Sequence, residues 1–353
     1  MKNRIKKLKG NLDLSKLDGL LIFKPVNRRY YASFTGTSGF IYSDSNNDYF
    51  LTDSRYVEQA KKQCKGFEVI ETSNDHTVFD FLAERQPNRL FVEESHVTMA
   101  FQAKLEKSLK NAILVGLDDI IASQRIVKDN IEIEKIAYAA KIADMAFSHI
   151  IEFIRPGLSE NEISLELEFF MRRHGASGLS FETIVASGAR SSMPHGTATD
   201  KIVKKGEFIT MDFGCVYEGY CSDMTRTLHL GAANKEEKAV YNIVLEAQNK
   251  ALEAIRDGAL AQSVDKIARD IIIENGYGDF FGHGLGHGVG LEVHEEPRLS
   301  PATDATLSSG MVVTDEPGIY LPGKFGVRIE DLLVVREDGF DILSNSPKEL
   351  IEI

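Results

Sequence analysis

The hydrophobic and polar positions of the first 120 residues predict a mixed α/β domain. Short apolar runs there have the length and composition of strands. They fall at 20–23, 39–42, 49–52, 67–71, 89–93 and 112–115. Amphipathic runs between them predict helices at 55–62, 77–84 and 100–110, and a short amphipathic helix at 1–9. Strands that alternate with helices in this way favour a sheet covered by helices.

From residue 126 the pattern changes to longer helical periods and longer strands. Residues 126–154 predict one long helix or a pair of helices, with Asp129 as the N-cap. Ser159 and Glu162 have the spacing of a capping box, which predicts the start of another helix. Further strands are predicted at 181–187, 208–214, 220–230 and twice within 311–336, and further helices at 235–255 and 263–275.

The length of the chain indicates two domains. At 353 residues it exceeds one ordinary core. The long helix near residue 126 is a natural junction, so we predict an N-terminal domain at 1–124 and a C-terminal domain at 125–353. With 43% hydrophobic and 27% charged residues, the composition is that of a soluble globular protein. No apolar run reaches the roughly 18 residues of a transmembrane helix.

Charge and cysteine content limit the partners and the compartment. A formal net charge of −12 argues against nucleic acid and against anionic membrane surfaces. The basic N-terminus is followed by no apolar core, so a signal peptide is not expected. Cys64, Cys215 and Cys221 form no C-x-x-C pair. They are typical of reduced thiols in a cytoplasmic protein.

A glycine-rich stretch contains the first candidate chemistry. His283, His287 and His294 lie within twelve residues and are separated mainly by glycines. Histidine is a common metal ligand and titrates near neutral pH. Glycine lets the backbone approach a ligand closely. The stretch therefore predicts a functional site whose chemistry depends on its partners elsewhere in the chain.

Two aspartates in the 208–230 region form the second candidate feature. Ten residues separate Asp212 from Asp223, and a turn centred on Tyr217 and Glu218 would place them directly opposite each other. Opposed residues have Cβ atoms about 5 Å apart. Two unbridged carboxylates at that separation repel by roughly 3 kcal/mol at an effective dielectric near 20. We therefore expect a cation between them.

Glu316 and Glu330 form a second acidic pair, because each interrupts an apolar strand where an unpaired carboxylate is costly. Four such carboxylates balance two divalent cations. Oxygen ligands with one imidazole suit Mn²⁺, Co²⁺ or Zn²⁺. Two such ions can deprotonate a shared water near neutral pH, which predicts hydrolysis. No G-x-S-x-G sequence is present, so a covalent nucleophile is not expected.

Five short blocks of the sequence resemble the aminopeptidase P and proline dipeptidase (prolidase) family. They are residues 211–214, 222–226, 283–295, 316–320 and 326–331. The resemblance covers about 125–353 with high specificity and the N-terminal part more loosely. It implies an α+β protein with a C-terminal pita-bread catalytic domain and an N-terminal creatinase-like α/β domain.

The resemblance also implies a role for each site residue. Asp212 would bind one metal, His287 and Glu316 the other, and Asp223 and Glu330 both. Glu316 would also act as the general base. The remaining residues would face the substrate or support the ligands. His195 and His294 would contact the substrate, His283 would lie near the proline pocket, and Tyr320 and Arg328 would orient Asp212.

The implied activity is hydrolysis of the Xaa-Pro bond with two divalent ions, Mn²⁺ being favoured. The whole chain looks most like short bacterial aminopeptidase P forms, which remove the first residue from peptides with proline second. A proline dipeptidase, which splits only Xaa-Pro dipeptides, is the alternative. Methionine aminopeptidases share the fold but usually space their last two glutamates further apart than Glu316 and Glu330.

Two alternatives without metal chemistry are a pita-bread protein that only binds peptides and a creatinase-like hydrolase that uses no metal. Both conflict with five intact ligand positions. The resemblance further implies a homodimer, in which the N-terminal domain of one chain helps to close the site of the other.

Overall fold

A computed structural model describes residues 2–12, 14 and 18–353 of the chain. The chain divides into two compact units, Met1–Arg125 and Ile126–Ile353. The described elements of the first unit are α1 (Lys2–Leu12), β1 (Asp18–Ile22), α2 (Pro25–Ala32), β2 (Phe40–Asp44), β3 (Asp48–Asp53), α3 (Val57–Gln63), β4 (Glu68–Thr72), α4 (Val78–Arg85), β5 (Arg89–Val92), α5 (Met99–Ser108), β6 (Ile113–Gly116) and α6 (Asp118–Arg125).

The strands of the first unit form one mixed sheet in the order β4-β3-β2-β1-β5-β6. The pairs β1–β2 and β2–β3 are antiparallel, and the other neighbours are parallel. Every residue of β1 is buried. Apolar side chains of Leu21, Leu51 and Leu90 join Phe81 and Leu82 of α4 in the core. The predicted mixed α/β sheet covered by helices is confirmed.

Helices α2 and α6 were not predicted from the sequence. Helix α2 begins with Pro25 in its first turn, where the missing N–H costs nothing. It buries polar side chains that hydrogen bonds satisfy. Asn27 donates to the buried Glu93 at 2.6 Å, and Arg28 donates to the carbonyl of Gly39 at 3.0 Å. Because the buried face of α2 combines these polar groups with Tyr30, Tyr31 and Ala32, it leaves no clear apolar periodicity in the sequence.

The second unit contains the longer helices and several small sheets. Its elements are α7 (Asn130–Phe153), α8 (Glu160–Arg173), β7 (Gly178–Leu179), β8 (Ile184–Ser187), β9 (Glu207–Phe213), β10 (Cys215–Tyr217), β11 (Tyr220–Cys221), β12 (Met224–Leu230), α9 (Lys235–Leu252), α10 (Ala261–Glu274), β13 (Gly286–Gly288), β14 (Glu295–Leu299), β15 (Val312–Asp315), β16 (Gly318–Leu321), β17 (Phe325–Arg328), β18 (Asp331–Arg336) and β19 (Gly339–Ile342).

Both predicted N-caps are found, but one predicted helix begins later than expected. Ser159 and Glu162 form the capping box at the start of α8, as predicted. Asp129 caps α7, also as predicted, but the helix does not extend back to residue 126. Val127 instead forms a β-bridge with Met311, so the backbone there is extended.

Two sheets carry the candidate site residues. One has the order β12-β9-β8, and the other has the order β14-β13-β15-β18-β19. Helices α7 and α8 pack into an apolar core with β9 and β12, and α9 and α10 pack into a second core with β15 and β18. No helix in the described part of the chain is long and apolar enough to cross a membrane.

Residues 311–336 form four strands where two were predicted. The pair β15–β18 belongs to the five-stranded sheet, whereas β16 and β17 pair with each other as a separate ribbon. The chain leaves one sheet at Glu316 and returns at Glu330. The two glutamates therefore occupy the breaks between strands.

Candidate active site

The candidate carboxylates lie at or beside places where strand pairing ends. Glu316 follows β15, Glu330 precedes β18, and Asp223 lies between β11 and β12. Asp212 is the sixth residue of β9. All four line one cavity. Interruption of the strands lets acidic side chains from distant parts of the sequence share this space.

The predicted register of the 208–230 hairpin is wrong. Asp212 pairs with Thr225, and Asp223 lies just before the paired strand. The turn is centred between Glu218 and Gly219, one residue later than predicted. Both residues have positive φ, at 45° and 86°, as a two-residue hairpin loop requires. A shift of two residues preserves the face of the sheet, so both aspartates still line the same cavity.

Three buried residues form the centre of the acidic cluster. Asp223, His287 and Glu330 each offer one ligand atom, and these atoms lie within 4.8 Å of one another. His287 Nε2 is 3.6 Å from an oxygen of Asp223 and 3.3 Å from an oxygen of Glu316. One imidazole therefore lies beside several carboxylates.

Arg328 fixes the position of Asp212. Its Nη2 donates to Oδ2 of Asp212 at 2.6 Å. Its Nη1 donates to the hydroxyl of Tyr320 at 2.9 Å, and its Nε donates to Thr225 Oγ1 at 2.9 Å. The Thr225 hydroxyl in turn donates to Glu330 at 2.6 Å. Buried hydrogen bonds thus orient Asp212 directly and Glu330 through one intermediate.

Crowding and burial change the pKa values of the carboxyl groups. Burial, and then the charges of Glu330 and Asp212, raise the pKa of Asp223 well above its usual range. Burial, and then the charges of Glu316 and Asp212, do the same for Glu330. Burial also raises the pKa of Asp212. Burial acts on Glu316 in the same direction, but a hydrogen bond and the charge of His287 outweigh it and lower the pKa of Glu316 to about 2.

The arrangement fits divalent cations. Asp212 Oδ1 and Glu330 Oε1 are buried and have no hydrogen-bond partner among the described residues. A buried carboxylate oxygen without a partner is costly unless a cation or a donor satisfies it. Four carboxylates and one imidazole form the ligand set typical of Mn²⁺, Co²⁺ or Zn²⁺. Asp212, Asp223, His287, Glu316 and Glu330 could therefore hold such ions.

The cavity above the cluster has a volume of about 460 Å³. His195, His283 and His294 line it together with Arg328. His195 and His294 are exposed to the cavity and to solvent. The ring of His294 meets the ring of His287 edge-on, with centroids 4.4 Å apart. The two exposed histidines are therefore available to a molecule in the cavity.

His283 has a different environment from the other two histidines. Its Nε2 lies 2.8 Å from the Tyr320 hydroxyl, and its Nδ1 lies 2.7 Å from the carbonyl oxygen of Gly284. Burial lowers the pKa of His283. Because Tyr320 already accepts from Arg328, its hydroxyl proton is free to point at His283. A chain of contacts thus connects His283 through Tyr320 and Arg328 to Asp212.

At two positions of the histidine stretch, the neighbouring strands leave no room for a side chain, so glycine is required. A Cβ at Gly286 would collide with the carbonyl oxygen of Thr314, and one at Gly288 would collide with that of Glu296. Strand β13 therefore packs closely between β14 and β15. This close packing positions His287, which lies between the two glycines.

The sequence analysis missed several residues of the cavity wall. Arg298, Glu182 and Phe181 line the cavity beside the predicted residues. Arg298 follows His294 by four residues, and this proximity was the available signal. Glu182 and Phe181 precede β8 with no distinguishing pattern. Thr225 lies within the 222–226 block, but its role in joining Arg328 to Glu330 depends on the strand register and was missed.

A buried cluster of this kind at the floor of an open cavity is characteristic of a metal-dependent hydrolase, and comparison with known proteins gives the family. The model of metallopeptidase family M24 matches residues 134–337, and that of the creatinase/prolidase N-terminal domain matches residues 4–127. The chain belongs to this metallopeptidase family. The predicted family resemblance and the α+β fold class are confirmed.

Individual relatives are similar over the whole chain. The Xaa-Pro dipeptidase of Pyrococcus furiosus is 40% identical over 356 residues, which cover 99% of this chain and 100% of the relative. The structure of an Xaa-Pro dipeptidase from Bacillus anthracis matches with a TM-score of 0.96 and 44% identity, covering 100% of this chain and 99% of the other.

The structure of an X-Pro aminopeptidase from Thermotoga maritima matches with a TM-score of 0.92 and 40% identity, covering 98% of this chain and 100% of the other. Proteins of both names are thus similar to this chain at comparable identity. Overall similarity does not distinguish between them, and the cavity must be considered instead.

Proposed function

We propose that the protein is an Xaa-Pro peptidase that uses two divalent cations and acts chiefly on Xaa-Pro dipeptides. The observation that carries the proposal is the position of Arg298. It lines the same cavity as Asp223, His287 and Glu330. A cationic wall above an acidic floor suits a short substrate with a free carboxylate.

The five ligand positions divide between two cations. Asp212 would help to hold one, His287 and Glu316 would hold the other, and Asp223 and Glu330 would contribute ligands to both. The unpartnered oxygens of Asp212 and Glu330 support this assignment. Mn²⁺ is the expected ion, with Co²⁺ or Zn²⁺ as alternatives. When bound, such a pair of ions polarises a carbonyl group and lowers the pKa of water.

Glu316 and the exposed histidines carry out the proton transfer and the charge stabilisation. Glu316 lines the cavity with an oxygen 3.3 Å from His287 Nε2, so this carboxylate would be placed to accept a proton from the attacking water. It then returns that proton to the proline nitrogen as the bond breaks. His195 and His294 donate hydrogen bonds to the carbonyl oxygen, where negative charge develops.

Residues behind the ligands keep the site in its reactive geometry. Arg328 holds Asp212, and Tyr320 holds Arg328. His283 lies against Tyr320 at the wall of the cavity and faces the proline ring. Partners of this kind orient metal ligands and tune their basicity.

Preference for proline has a chemical basis. The Xaa-Pro bond is a tertiary amide and offers no N–H to a peptidase that binds its substrate as a β-strand. Here the acidic cluster and the histidines would hold the substrate without that hydrogen bond. The two Xaa-Pro dipeptidases that this chain resembles support the same substrate class.

Arg298 favours the dipeptidase over the aminopeptidase. Its side chain is exposed, and no hydrogen bond or ion pair of its guanidinium occurs within the described part of the chain. A guanidinium binds a carboxylate through two parallel hydrogen bonds. The C-terminal carboxylate of a dipeptide would supply that partner, whereas a longer peptide has an amide there. The aminopeptidase, which the sequence resemblance favoured, becomes the second candidate, and the similarity to the Thermotoga maritima protein supports it.

Metal analysis and substrate length test the proposal. Purified protein loaded with Mn²⁺ should contain about two ions per chain and lose activity with a chelator. It should hydrolyse Ala-Pro at least tenfold faster, by kcat/KM, than Ala-Pro-Ala. Metal-free protein with full activity would overturn the proposed chemistry.

Replacement of Arg298 tests the origin of the length preference. Arg298→Gln should reduce kcat/KM for Ala-Pro by about tenfold or more, the order expected when a hydrogen bond between charged groups is lost. It should affect Ala-Pro-Ala much less. Arg336→Gln is the matched control, because Arg336 is a partly exposed arginine that pairs with Asp341 outside the cavity. Equal losses for both substrates would favour the aminopeptidase.

We also propose that residues 125–353 form the catalytic domain and residues 1–124 the accessory N-terminal domain. All residues that line the cavity belong to the former range. A homodimer in the cytoplasm completes the proposal. Three buried cysteines without disulfides support a reducing compartment. Sedimentation of the purified protein tests the dimer.

A further inference from the structure

One charged residue of the cavity wall has no role in the proposed reaction. The buried or half-buried carboxylates of the cavity belong to the metal cluster, and Arg328 is bound to Asp212. Arg298 is assigned to the substrate carboxylate. The remaining charged side chain is Glu182, which is exposed and lines the cavity. Within the described residues, its carboxylate has no hydrogen bond and no ion pair.

We propose that Glu182 forms a subsite for a basic side chain, so that the enzyme prefers lysine or arginine as the residue before proline. The inference rests on the proposed Xaa-Pro activity and adds a preference at its first substrate position. Glu182 and Arg298 would then bind opposite ends of the same substrate. Glu182 would bind the positively charged side chain of the first residue, and Arg298 would bind the negatively charged C-terminus.

The position of Glu182 in the sheet supports this assignment. Strand β8 pairs with β9 so that Ile184 lies opposite Asp212. Glu182 precedes Ile184 by two residues, so its backbone lies at most about 7 Å from that of Ile184. Arg298 lies on β14 in the other sheet. The acidic side chain and the basic side chain thus enter the cavity from different sheets.

The distance between Glu182 and the acidic cluster suits a substrate side chain better than the substrate's own α-ammonium group. The α-ammonium is two bonds from the scissile carbonyl, which must lie over the cluster that includes Asp212. A lysine or arginine side chain has a flexible stem of several carbons before its charge. Such a stem can span the distance from the cluster to Glu182.

The residues next to Glu182 suit the apolar stem of a basic side chain. Phe181 and Ile184 both line the cavity. Long cationic side chains bury their carbon stems against apolar surface and keep the charged group near water. An exposed carboxylate beside a partly buried phenyl ring provides both environments. Acidic side chains at the same position would be repelled.

The test compares two dipeptides that differ mainly in charge. Lys-Pro and norleucine-Pro share a linear carbon stem, and only lysine carries the ammonium group. For the wild-type enzyme, the ratio of kcat/KM for Lys-Pro to that for norleucine-Pro should be about two to five, the size of a solvated ion pair. Raising NaCl from 20 to 500 mM should lower this ratio, because salt screens the attraction.

Two variants and one control identify the carboxylate responsible. Glu182→Gln should bring the ratio close to one, and Glu182→Lys should bring it below one and improve relative hydrolysis of Glu-Pro. Glu246→Gln is the control, because Glu246 is an exposed glutamate on α9 outside the cavity. That change should leave the ratio and the activity unaltered.

The outcomes separate this inference from the proposed function. Failure of the wild-type enzyme to hydrolyse either dipeptide would contradict the Xaa-Pro activity itself. Hydrolysis with a ratio near one, or with a ratio that Glu182→Gln leaves unchanged, would overturn only the basic subsite. Equal loss on both dipeptides in Glu182→Gln would also overturn it, since a purely structural effect does not depend on charge.

Discussion

Arg328 binds one oxygen of Asp212 and leaves the other without a protein partner. The bond from Nη2 to Oδ2 measures 2.6 Å, whereas Oδ1 is buried and has no hydrogen-bond partner among the described residues. Arg328 is itself only 3% exposed and is held by Tyr320 and Thr225. The guanidinium thus fixes the orientation of the carboxylate while one oxygen remains available for a cation.

Replacement of this arginine should weaken metal binding. Lysine keeps the charge but loses the planar fork that contacts Asp212, Tyr320 and Thr225 together. We expect Arg328→Lys to bind Mn²⁺ at least tenfold more weakly, measured by competition with a chelator of known affinity. Arg336→Lys, which alters an exposed ion pair, should bind Mn²⁺ like the wild type. Unchanged affinity in Arg328→Lys would show that Asp212 is oriented without it.

His294 should be required for turnover and not for metal binding. It is exposed in the cavity, and its closest recorded ring contact is with His287. Burial, and then the charge of His287, lower the pKa of His294, so its ring is neutral near pH 7 and retains an N–H to donate. His294→Ala should lose about 100-fold in kcat while keeping the wild-type metal content.

Two measurements on the same preparations test this distinction. Metal content by elemental analysis should be equal in His294→Ala and the wild type. His76→Ala, which changes a partly exposed histidine paired with Glu84 in the first unit, is the control for general effects. Loss of one ion from His294→Ala would identify this histidine as a ligand and contradict the assignment.

The sequence predicted the elements whose packing depends on apolar side chains. Strands β1 and β5 and helix α8 follow apolar runs or a capping box that can be read directly. Helix α2 could not be predicted in this way, because its buried face includes Asn27 and Arg28. Their partners, Glu93 and backbone carbonyls, are distant in sequence.

Residues in recognisable motifs were predicted better than residues fixed by register. The motifs indicated Asp212, Asp223 and Glu330 by their sequence context. Their relative positions depend on a turn at Glu218 and Gly219, and centring that turn one residue too early gave the wrong pairing. Residues of the cavity wall such as Arg298 and Glu182 come from different sheets. No local sequence pattern predicts that these sheets lie on either side of one cavity.

Glu160 should stabilise the loop that carries His195. It is completely buried and accepts hydrogen bonds from the backbone and hydroxyl of both Ser187 and Thr199. Arg190 in the same loop donates to it as well. Glu160→Gln should lower the free energy of unfolding of this unit by about 2–3 kcal/mol, because a buried charged hydrogen-bond acceptor is lost.

Glu160→Gln should also lower turnover, because the loop between Ser187 and Thr199 that Glu160 holds contains His195. Glu168→Gln is the matched control on the same helix, because among the described residues Glu168 pairs only with the partly exposed Arg172. That change should cost less than about 0.5 kcal/mol. Denaturant unfolding and kcat for both variants provide the comparison, and equal stability of the two would contradict the role of Glu160.

Two adjacent glutamates of the first unit have pKa values shifted in opposite directions. Glu93 is fully buried, and burial raises its pKa although it accepts hydrogen bonds from the backbones of Phe23 and Lys24. Glu94 is exposed. Its slight burial acts to raise its pKa, but backbone donors, including Leu117 N at 2.7 Å, outweigh that and lower it.

These shifts predict opposite effects of pH on stability. Since the folded pKa of Glu93 exceeds its unfolded value, the stability it contributes is present below about pH 4.5 and is lost as the pH rises through the folded pKa. The contribution of Glu94 is present above about pH 4.5 and is lost as the pH falls. Between pH 4 and 7, the unfolding free energy of the wild type minus that of Glu93→Gln should therefore decrease, and the same difference for Glu94→Gln should increase. Denaturant unfolding at several pH values measures both, and slopes of the same sign would contradict the opposite environments of the two carboxyl groups.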